Sequence, residues 1–140
     1  GTLMAFTFPI RVYWEDTDAG GIVFYANYLK FFERARTEWL RNLGVEQQKL
    51  RDEVGGMFVV TRAEINYLKP ARLDDMIEVT AGLESAGRSS ITIAQQALLK
   101  SVSSDQAPQL LCEGSIRIGW VDGHTMRPAR IPNTIVEKLS

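Results

Sequence analysis

One long amphipathic segment restricts the possible folds of this chain more than any other feature. From Asn27 to about Leu43, apolar side chains recur at three- and four-residue spacing, which predicts a helix with one buried face. That face comprises Tyr28, Phe31, Phe32, Ala35, Trp39, Leu40 and Leu43. The opposite, solvent-facing side is expected to carry Lys30, Glu33, Arg34, Arg36, Glu38 and Arg41. Asn27 is expected to cap the helix and Gly44 to end it. Such a helix is roughly 25 Å long, which is enough to cross a whole sheet.

Patterns of period two on either side of this helix predict β-strands. The first is Phe6 to Trp14, with one face formed by Phe8, Ile10, Val12 and Trp14. Four more are expected at residues 57–68, 76–83, 90–100 and 110–121, a short helix at 45–54 and a helical turn at 132–139. The links at 69–75, 85–89 and 103–109 are short and rich in turn residues, which predicts an antiparallel meander. The fold class is therefore α+β, with the sheet wrapped around one helix and its far face and edges needing a partner subunit.

The composition favours one ordinary globular domain covering residues 1–140. A formal net charge of −1 gives no basic excess to bind a nucleic-acid backbone. No apolar run approaches the roughly 20 residues that span a bilayer, and no signal peptide is recognisable. The single cysteine, Cys112, excludes an internal disulfide, and a cytoplasmic location is expected. Gly1 to Leu3 are expected to be an added remnant ahead of Met4.

Residues 13–28 carry the residues that most suggest chemistry. Asp16 and Asp18 lie between the first strand and the long helix, and Gly20 and Gly21 allow tight backbone geometry next to them. A carboxylate beside an apolar segment and a helix start is costly to place there. Such an arrangement is more often chemistry than packing.

The sequence resembles the hotdog-fold acyl-CoA thioesterases of the 4-hydroxybenzoyl-CoA thioesterase type. Within them it is most similar to the branch associated with the bacterial Tol–Pal envelope system. The blocks that carry this resemblance are 15–23 with Asn27-Tyr28, then 32–38, 70–75, Val121-Asp122, 126–128 and Ile131-Pro132. They cover nearly the whole chain in the right order, and the first block is the specific one.

The resemblance implies a five-stranded antiparallel sheet around one helix, assembled into dimers or tetramers with active sites at the dimer interface. It also implies that Asp18 is the catalytic carboxylate. Many members of the Tol–Pal branch carry histidine where this chain has Tyr25, so an imidazole role is absent there. Tyrosine at that place is more similar to the 4-hydroxybenzoyl-CoA enzymes.

The residues are suited to thioester hydrolysis. The leaving thiolate needs little acid assistance, so the reaction requires a base or nucleophile and a site for the oxyanion. We expect Asp18 to attack the thioester or to activate water. The Tyr25 amide, near the start of the helix, would form part of the oxyanion hole.

Coenzyme A carries phosphates, so a cationic rim is expected. The candidates are Arg62, Lys69, Arg72, Arg88 and Arg127. Arg88 with Ser89, in a turn preceded by glycine, is favoured because backbone amides, a hydroxyl and a guanidinium could meet one phosphate there. Arg72 and Gly21 complete the expected substrate contacts. The acyl pocket is expected to draw on Phe24, Tyr25, Phe31 and Phe58. No metal and no cofactor beyond the substrate's own coenzyme A is expected.

Other interpretations of these residues stay open at this point. Asp18 could merely cap a turn, and Asp16 is expected to be structural. A calcium loop is disfavoured because Gly20 and Asn27 occupy positions that should supply oxygen ligands. His124 is expected on a surface turn, and no nucleophile elbow offers a serine to pair with it. Cys112 is expected in the core, and the tryptophans in the core or an interface.

Two other functions compete with the thioesterase. The first is a hotdog hydratase or dehydratase, which would typically need a histidine with an acid, and His124 lies in the wrong context. The second is a non-catalytic protein that binds acyl thioesters, for which an aspartate beside the thioester would be a poor choice. Acyl-CoA and an acyl carrier protein thioester are not distinguished as substrates, nor are dimer and homotetramer.

Overall fold

The computed structural model describes residues 6–100 and 106–139. The remnant expected at residues 1–3 and part of the link expected at 103–109 lie outside these ranges. The first part of the chain forms strand β1 (Phe6–Arg11), helix α1 (Asn27–Asn42) and helix α2 (Gln47–Glu53). The strands that follow are β2 (Gly56–Tyr67), β3 (Met76–Ala86), β4 (Ser90–Leu99) and β5 (Gln109–Asp122), and helix α3 (Asn133–Leu139) is last.

The five strands form one antiparallel sheet in the order β1-β3-β4-β5-β2. Strands β3, β4 and β5 form the predicted meander, but β2 does not join it. It pairs with β5, from Gly56 opposite Asp122 to Tyr67 opposite Cys112. The meander prediction is therefore wrong at residues 68–75. That link must pass two strands, about 14 Å, a distance that eight residues easily span.

Helix α1 lies across the concave face of this sheet and forms the centre of the core. Phe31, Phe32 and Ala35 are fully buried. They belong to the same core cluster as the inward side chains of the sheet, among them Ile77, Val79, Ile91, Ile93 and Ile116. The predicted fold class is thus confirmed: an α+β arrangement with a five-stranded antiparallel sheet around a central helix. Gly44 follows the helix with φ +86°, the left-handed conformation expected of a terminating glycine.

Two predictions about α1 are wrong. Ala26 occupies the capping position, and Asn27 is the first helical residue. Arg36 was expected on the solvent side, yet only 8% of it is exposed. Its guanidinium donates to Gln95 Oε1 over 3.0 Å, and burial lowers the pKa of Arg36. Gln95 lies on the inner face of β4, so a polar partner inside the sheet draws the arginine inward.

The first strand is shorter than predicted. It ends at Arg11, and residues 14–16 form a single 3₁₀ turn. Val12 remains buried, but Trp14 is 78% exposed and so lies outside the core. Trp39 and Trp120 are buried as expected. The turn carries the chain away from the sheet toward the start of α1.

Where β2 and β5 pair, the convex face of the sheet is polar. Register with β5 places Arg62, Glu64 and Asn66 on this face, opposite Arg117, Ser115 and Glu113. Water can satisfy such side chains, so the far face does not by itself require a partner. The edges differ from one another: β1 has six residues with Pro9 among them, whereas β2 has twelve and no proline.

In the part of the chain that the structure describes, no helix has both the length and the apolar character of a membrane span.

Candidate active site

The loop before α1 folds back on itself around Asp18. Thr17 and Val23 form a β-bridge, and the Asp18 amide donates to the Ile22 carbonyl over 2.9 Å. The Gly21 amide donates to the Asp18 carbonyl over 3.0 Å. Gly21 adopts φ +77°, a conformation that residues with a Cβ rarely take. Glycine at this position therefore permits the tight turn that presents Asp18.

Asp16 fastens this loop to the helix start. Only 7% of it is exposed, and its Oδ2 accepts the Tyr13 amide over 2.9 Å. Its carbonyl accepts the Phe24 amide over 3.2 Å and the Asn27 Nδ2 over 2.8 Å. The Asn27 side chain thus holds the loop and does not cap the helix. Asp16 has the structural role that its sequence position suggested.

Asp18 opens onto a cavity of about 360 Å³. Its Oδ1 accepts the Gly20 amide over 2.8 Å, which holds the carboxylate on one side. The lining consists of Asp18, Ile22, Val23, Phe24, Tyr25, Tyr28, Tyr67, Leu68, Lys69 and Pro70. A single carboxylate therefore faces walls that are mostly apolar and aromatic.

The aromatic wall is built from three parts of the chain. The Tyr67 ring on β2 lies 5.6 Å from the Tyr25 ring and 5.7 Å from the Tyr28 ring, measured between centroids. Phe24 packs on Tyr25 at 4.8 Å. The Tyr28 hydroxyl accepts the Ala71 amide over 3.1 Å, which pins that ring to the loop after β2. Burial raises the pKa of both Tyr28 and Tyr67, so both phenols stay neutral near neutral pH.

The start of α1 leaves backbone donors at this wall. The Phe24 amide donates to Asp16, and the Asn27 amide donates to the Phe24 carbonyl over 2.8 Å. For the amides of Tyr25 and Ala26, no acceptor is found within residues 6–100 and 106–139. These N–H groups lie at the positive end of the helix dipole. The structure thus brings the two predicted catalytic residues, Asp18 and Tyr25, to one cavity.

The predicted coenzyme A contacts are more scattered. Gly21 shapes the Asp18 turn but does not line the cavity. Arg72 is exposed, and its backbone forms a β-bridge with Ile22. The Ser89 carbonyl accepts the Trp120 amide, which places the turn of Arg88 and Ser89 at the far end of the sheet.

Two residues, Lys69 and Tyr67, lie closer to the site than sequence reasoning placed them. Of the five candidate cations, Lys69 lines the Asp18 cavity. Tyr67 was not singled out at all. The available signal was the strand pattern of β2, which ends at Tyr67 just before the Lys69-Pro70 pair.

The remaining candidates lie elsewhere. His124 is exposed in the turn after β5, and its amide donates to Asp122 Oδ1 over 2.8 Å. Cys112 is fully buried, which raises the pKa of its thiol to about 12. Phe31 and Phe58 are core residues that do not line the cavity. Among the described residues, no group of three or more histidine, cysteine or acidic side chains is placed to hold a metal ion.

Comparison with known proteins gives a consistent result over almost the full length. Residues 12–139 match the family described as the thioesterase-like superfamily. The chain is 41% identical to the acyl-CoA thioester hydrolase YbgC of Escherichia coli O6:H1, covering 96% of this chain and 95% of that protein. It is 38% identical to the acyl-CoA thioesterase YbgC of Haemophilus influenzae, covering 93% and 90%. A crystal structure of a 4-hydroxybenzoyl CoA thioesterase mutant with 4-hydroxybenzoyl CoA superposes with a TM-score of 0.89 at 18% identity, covering 99% and 100%.

Proposed function

Because this chain belongs to the thioesterase-like superfamily, we propose that it hydrolyses acyl-CoA thioesters to a free acid and coenzyme A. The predicted family and the predicted hotdog fold are both confirmed. The relatives named acyl-CoA thioester hydrolases cover nearly the whole chain at about 40% identity. The observation that carries the proposal is local: the Asp18 carboxylate, held by the Gly20 amide, and Tyr25, whose amide has no acceptor among the described residues, line one largely apolar cavity.

In this proposal, Asp18 and the Tyr25 amide divide the chemistry. The Asp18 carboxylate attacks the thioester carbon or removes a proton from an attacking water molecule. Negative charge then develops on the carbonyl oxygen, where the Tyr25 N–H donates to it. The C–S bond then breaks, and the electron pair leaves with sulfur as the coenzyme A thiolate. If Asp18 is the nucleophile, water hydrolyses the resulting mixed anhydride and restores the carboxylate. If Asp18 is the base, the attacking water has supplied the oxygen of the acid, and Asp18 passes the proton to the thiolate.

A second copy of the chain would complete the substrate site. The Ser89 carbonyl accepts a hydrogen bond from the Trp120 amide, and Trp120 lies opposite Phe58 in the sheet. Phe58 precedes Tyr67 by nine residues on β2. At about 3.3 Å per residue, that turn lies roughly 25 Å or more from the Asp18 cavity. Two-fold pairing of the open β2 edges would run the strands antiparallel. The Phe58 end of one copy, with its Arg88-Ser89 turn, would then lie beside the cavity of the other.

This geometry supports a dimer built on β2, in which Arg88 and Ser89 of the second copy reach the phosphates of coenzyme A. Lys69, at the cavity itself, would meet an anionic part of the substrate nearer the thioester. The polar convex face gives no comparable argument for a tetramer. The homotetramer and the cytoplasmic location stay predictions.

The direct test is release of free thiol from a panel of acyl-CoAs that runs from acetyl to palmitoyl and includes benzoyl and 4-hydroxybenzoyl. We expect turnover on at least part of the panel. Binding of acyl-CoA without thiol release would favour the non-catalytic binding protein. If no acyl-CoA is hydrolysed but acyl carrier protein thioesters are, the protein is still a thioester hydrolase, and its substrate is carried by acyl carrier protein instead of coenzyme A.

A further inference from the structure

Tyr67 lies where the Asp18 cavity meets the inner face of β2. It pairs with Cys112, which is fully buried, so the Tyr67 ring is on the helix side of the sheet. Side chains on a strand alternate between faces. Ile65 and Ala63, two and four residues earlier, therefore continue the same face away from the cavity.

Within one copy of the chain, this continuation of β2 is incompletely covered. Helix α1 packs mainly on β3, β1 and β4. Ala63 is exposed, and Ile65 is half-buried at the margin of the core. Both side chains are apolar, and neither carries a group that would repel a hydrocarbon chain. An apolar strip thus begins just behind Tyr67.

The Tyr67 ring is held in the position of a wall. Tyr28 supports it from the helix at 5.7 Å, and Tyr28 is itself buried and bonded to the Ala71 amide. Tyr25 also contacts it, at 5.6 Å in an edge-on arrangement. With two rings against it, Tyr67 lines the cavity, whereas Ile65 and Ala63 on the same face of β2 do not.

We propose that Tyr67 is a specificity-determining residue that limits the length of the acyl group. This inference rests on the proposed acyl-CoA hydrolysis. A short aliphatic chain or a single ring ends against Tyr67, within the cavity of about 360 Å³. A long chain would have to displace the ring to reach Ile65 and Ala63. A smaller side chain at position 67 would open that path.

The test compares kcat/KM for butyryl-CoA and decanoyl-CoA in the native chain, Tyr67→Ala and Tyr67→Phe. Each added methylene that finds apolar surface strengthens binding, and decanoyl-CoA has six more methylenes than butyryl-CoA, so a large change in the ratio can be measured. We expect the decanoyl-to-butyryl ratio to rise at least tenfold in Tyr67→Ala. Tyr67→Phe keeps the ring and should keep the native ratio within about twofold.

Leu29→Ala is the matched control, because Leu29 and Tyr67 are both 44% exposed but Leu29 does not line the cavity. Its ratio should equal that of the native chain. An unchanged ratio in an active, folded Tyr67→Ala would overturn the length limit and leave the hydrolase intact. If Tyr67→Ala unfolds, Tyr67→Leu replaces it, with the same expected direction. A native chain that hydrolyses no member of the whole acyl-CoA panel would instead count against the proposed function and not against the role of Tyr67.

Discussion

At the scale of single residues, the site depends on which polar groups are satisfied and which are left free. Asp16 is consumed by hydrogen bonds that hold the loop, whereas Asp18 receives one amide from Gly20 and faces the cavity. The Tyr25 amide has no acceptor among the described residues. Two carboxylates two positions apart thus have different surroundings, because the loop encloses one and exposes the other.

The buried Cys112 thiol is predicted to be unreactive in the folded chain. Burial raises the pKa of its thiol from 9.0 to about 12, and the thiolate is the reactive form. At pH 8.5 the folded chain should therefore resist a thiol-specific reagent such as dithionitrobenzoate for at least an hour. The same thiol should react within seconds in 8 M urea. Rapid reaction of the folded chain would show that Cys112 is accessible and would contradict its place in the core.

The raised pKa of Cys112 also makes the free energy of unfolding fall as the pH becomes alkaline. The folded-state pKa lies above the unfolded value, so this group's contribution is fully present below pH 9.0 and declines as the pH rises toward about 12.

At the scale of secondary structure, the sequence predicted most elements well. The apolar spacing of α1 and the period-two strands depend on local pattern, which the chain carries within a few residues. The neighbour of β2 could not be predicted in this way, because alternation identifies a strand without naming its partner. The burial of Arg36 was not predicted for a related reason: its hydrogen-bond acceptor, Gln95, is 59 residues away in the sequence. Tyr67 joined the site through contacts with residues about 40 positions earlier in the chain.

The packing of β2 against β5 gives a prediction at this scale. A Cβ placed on Gly56 would lie 2.4 Å from Cζ2 of the buried Trp120 ring. Gly56→Ala should therefore lower the free energy of unfolding by about 1–3 kcal/mol, as measured by urea denaturation. Gly82→Ala is the control, since a Cβ there would meet nothing within 4 Å. Equal stability of the two variants would show that Trp120 can move aside.

At the scale of the whole molecule, the two edges of the sheet decide how copies can associate. Edge β1 is short and carries Pro9, which cannot donate to a neighbouring strand. Edge β2 is long, and its middle residues are exposed, including Val60 at 53%. An open edge of this kind is a ready template for pairing with another chain.

Val60→Lys tests the proposed β2 dimer, because a lysine on an edge strand opposes edge-to-edge pairing. We expect the native chain to sediment as a dimer or larger and Val60→Lys to shift toward monomer, with a parallel fall in thiol release. Leu83→Lys is the control: Leu83 is 40% exposed on β3, an interior strand. A Val60→Lys variant that keeps the native mass would place the interface elsewhere.

The most direct test of the whole account is thiol release by Asp18→Asn on the best acyl-CoA of the panel. Asparagine keeps the shape and can still accept the Gly20 amide, but it provides neither a base nor an effective nucleophile. We predict that kcat falls at least a thousandfold, while the circular dichroism spectrum and the urea midpoint stay native. Glu15→Gln, an exposed carboxylate in the same loop, should retain native kcat. An Asp18→Asn variant with native turnover would refute Asp18 as the catalytic carboxylate.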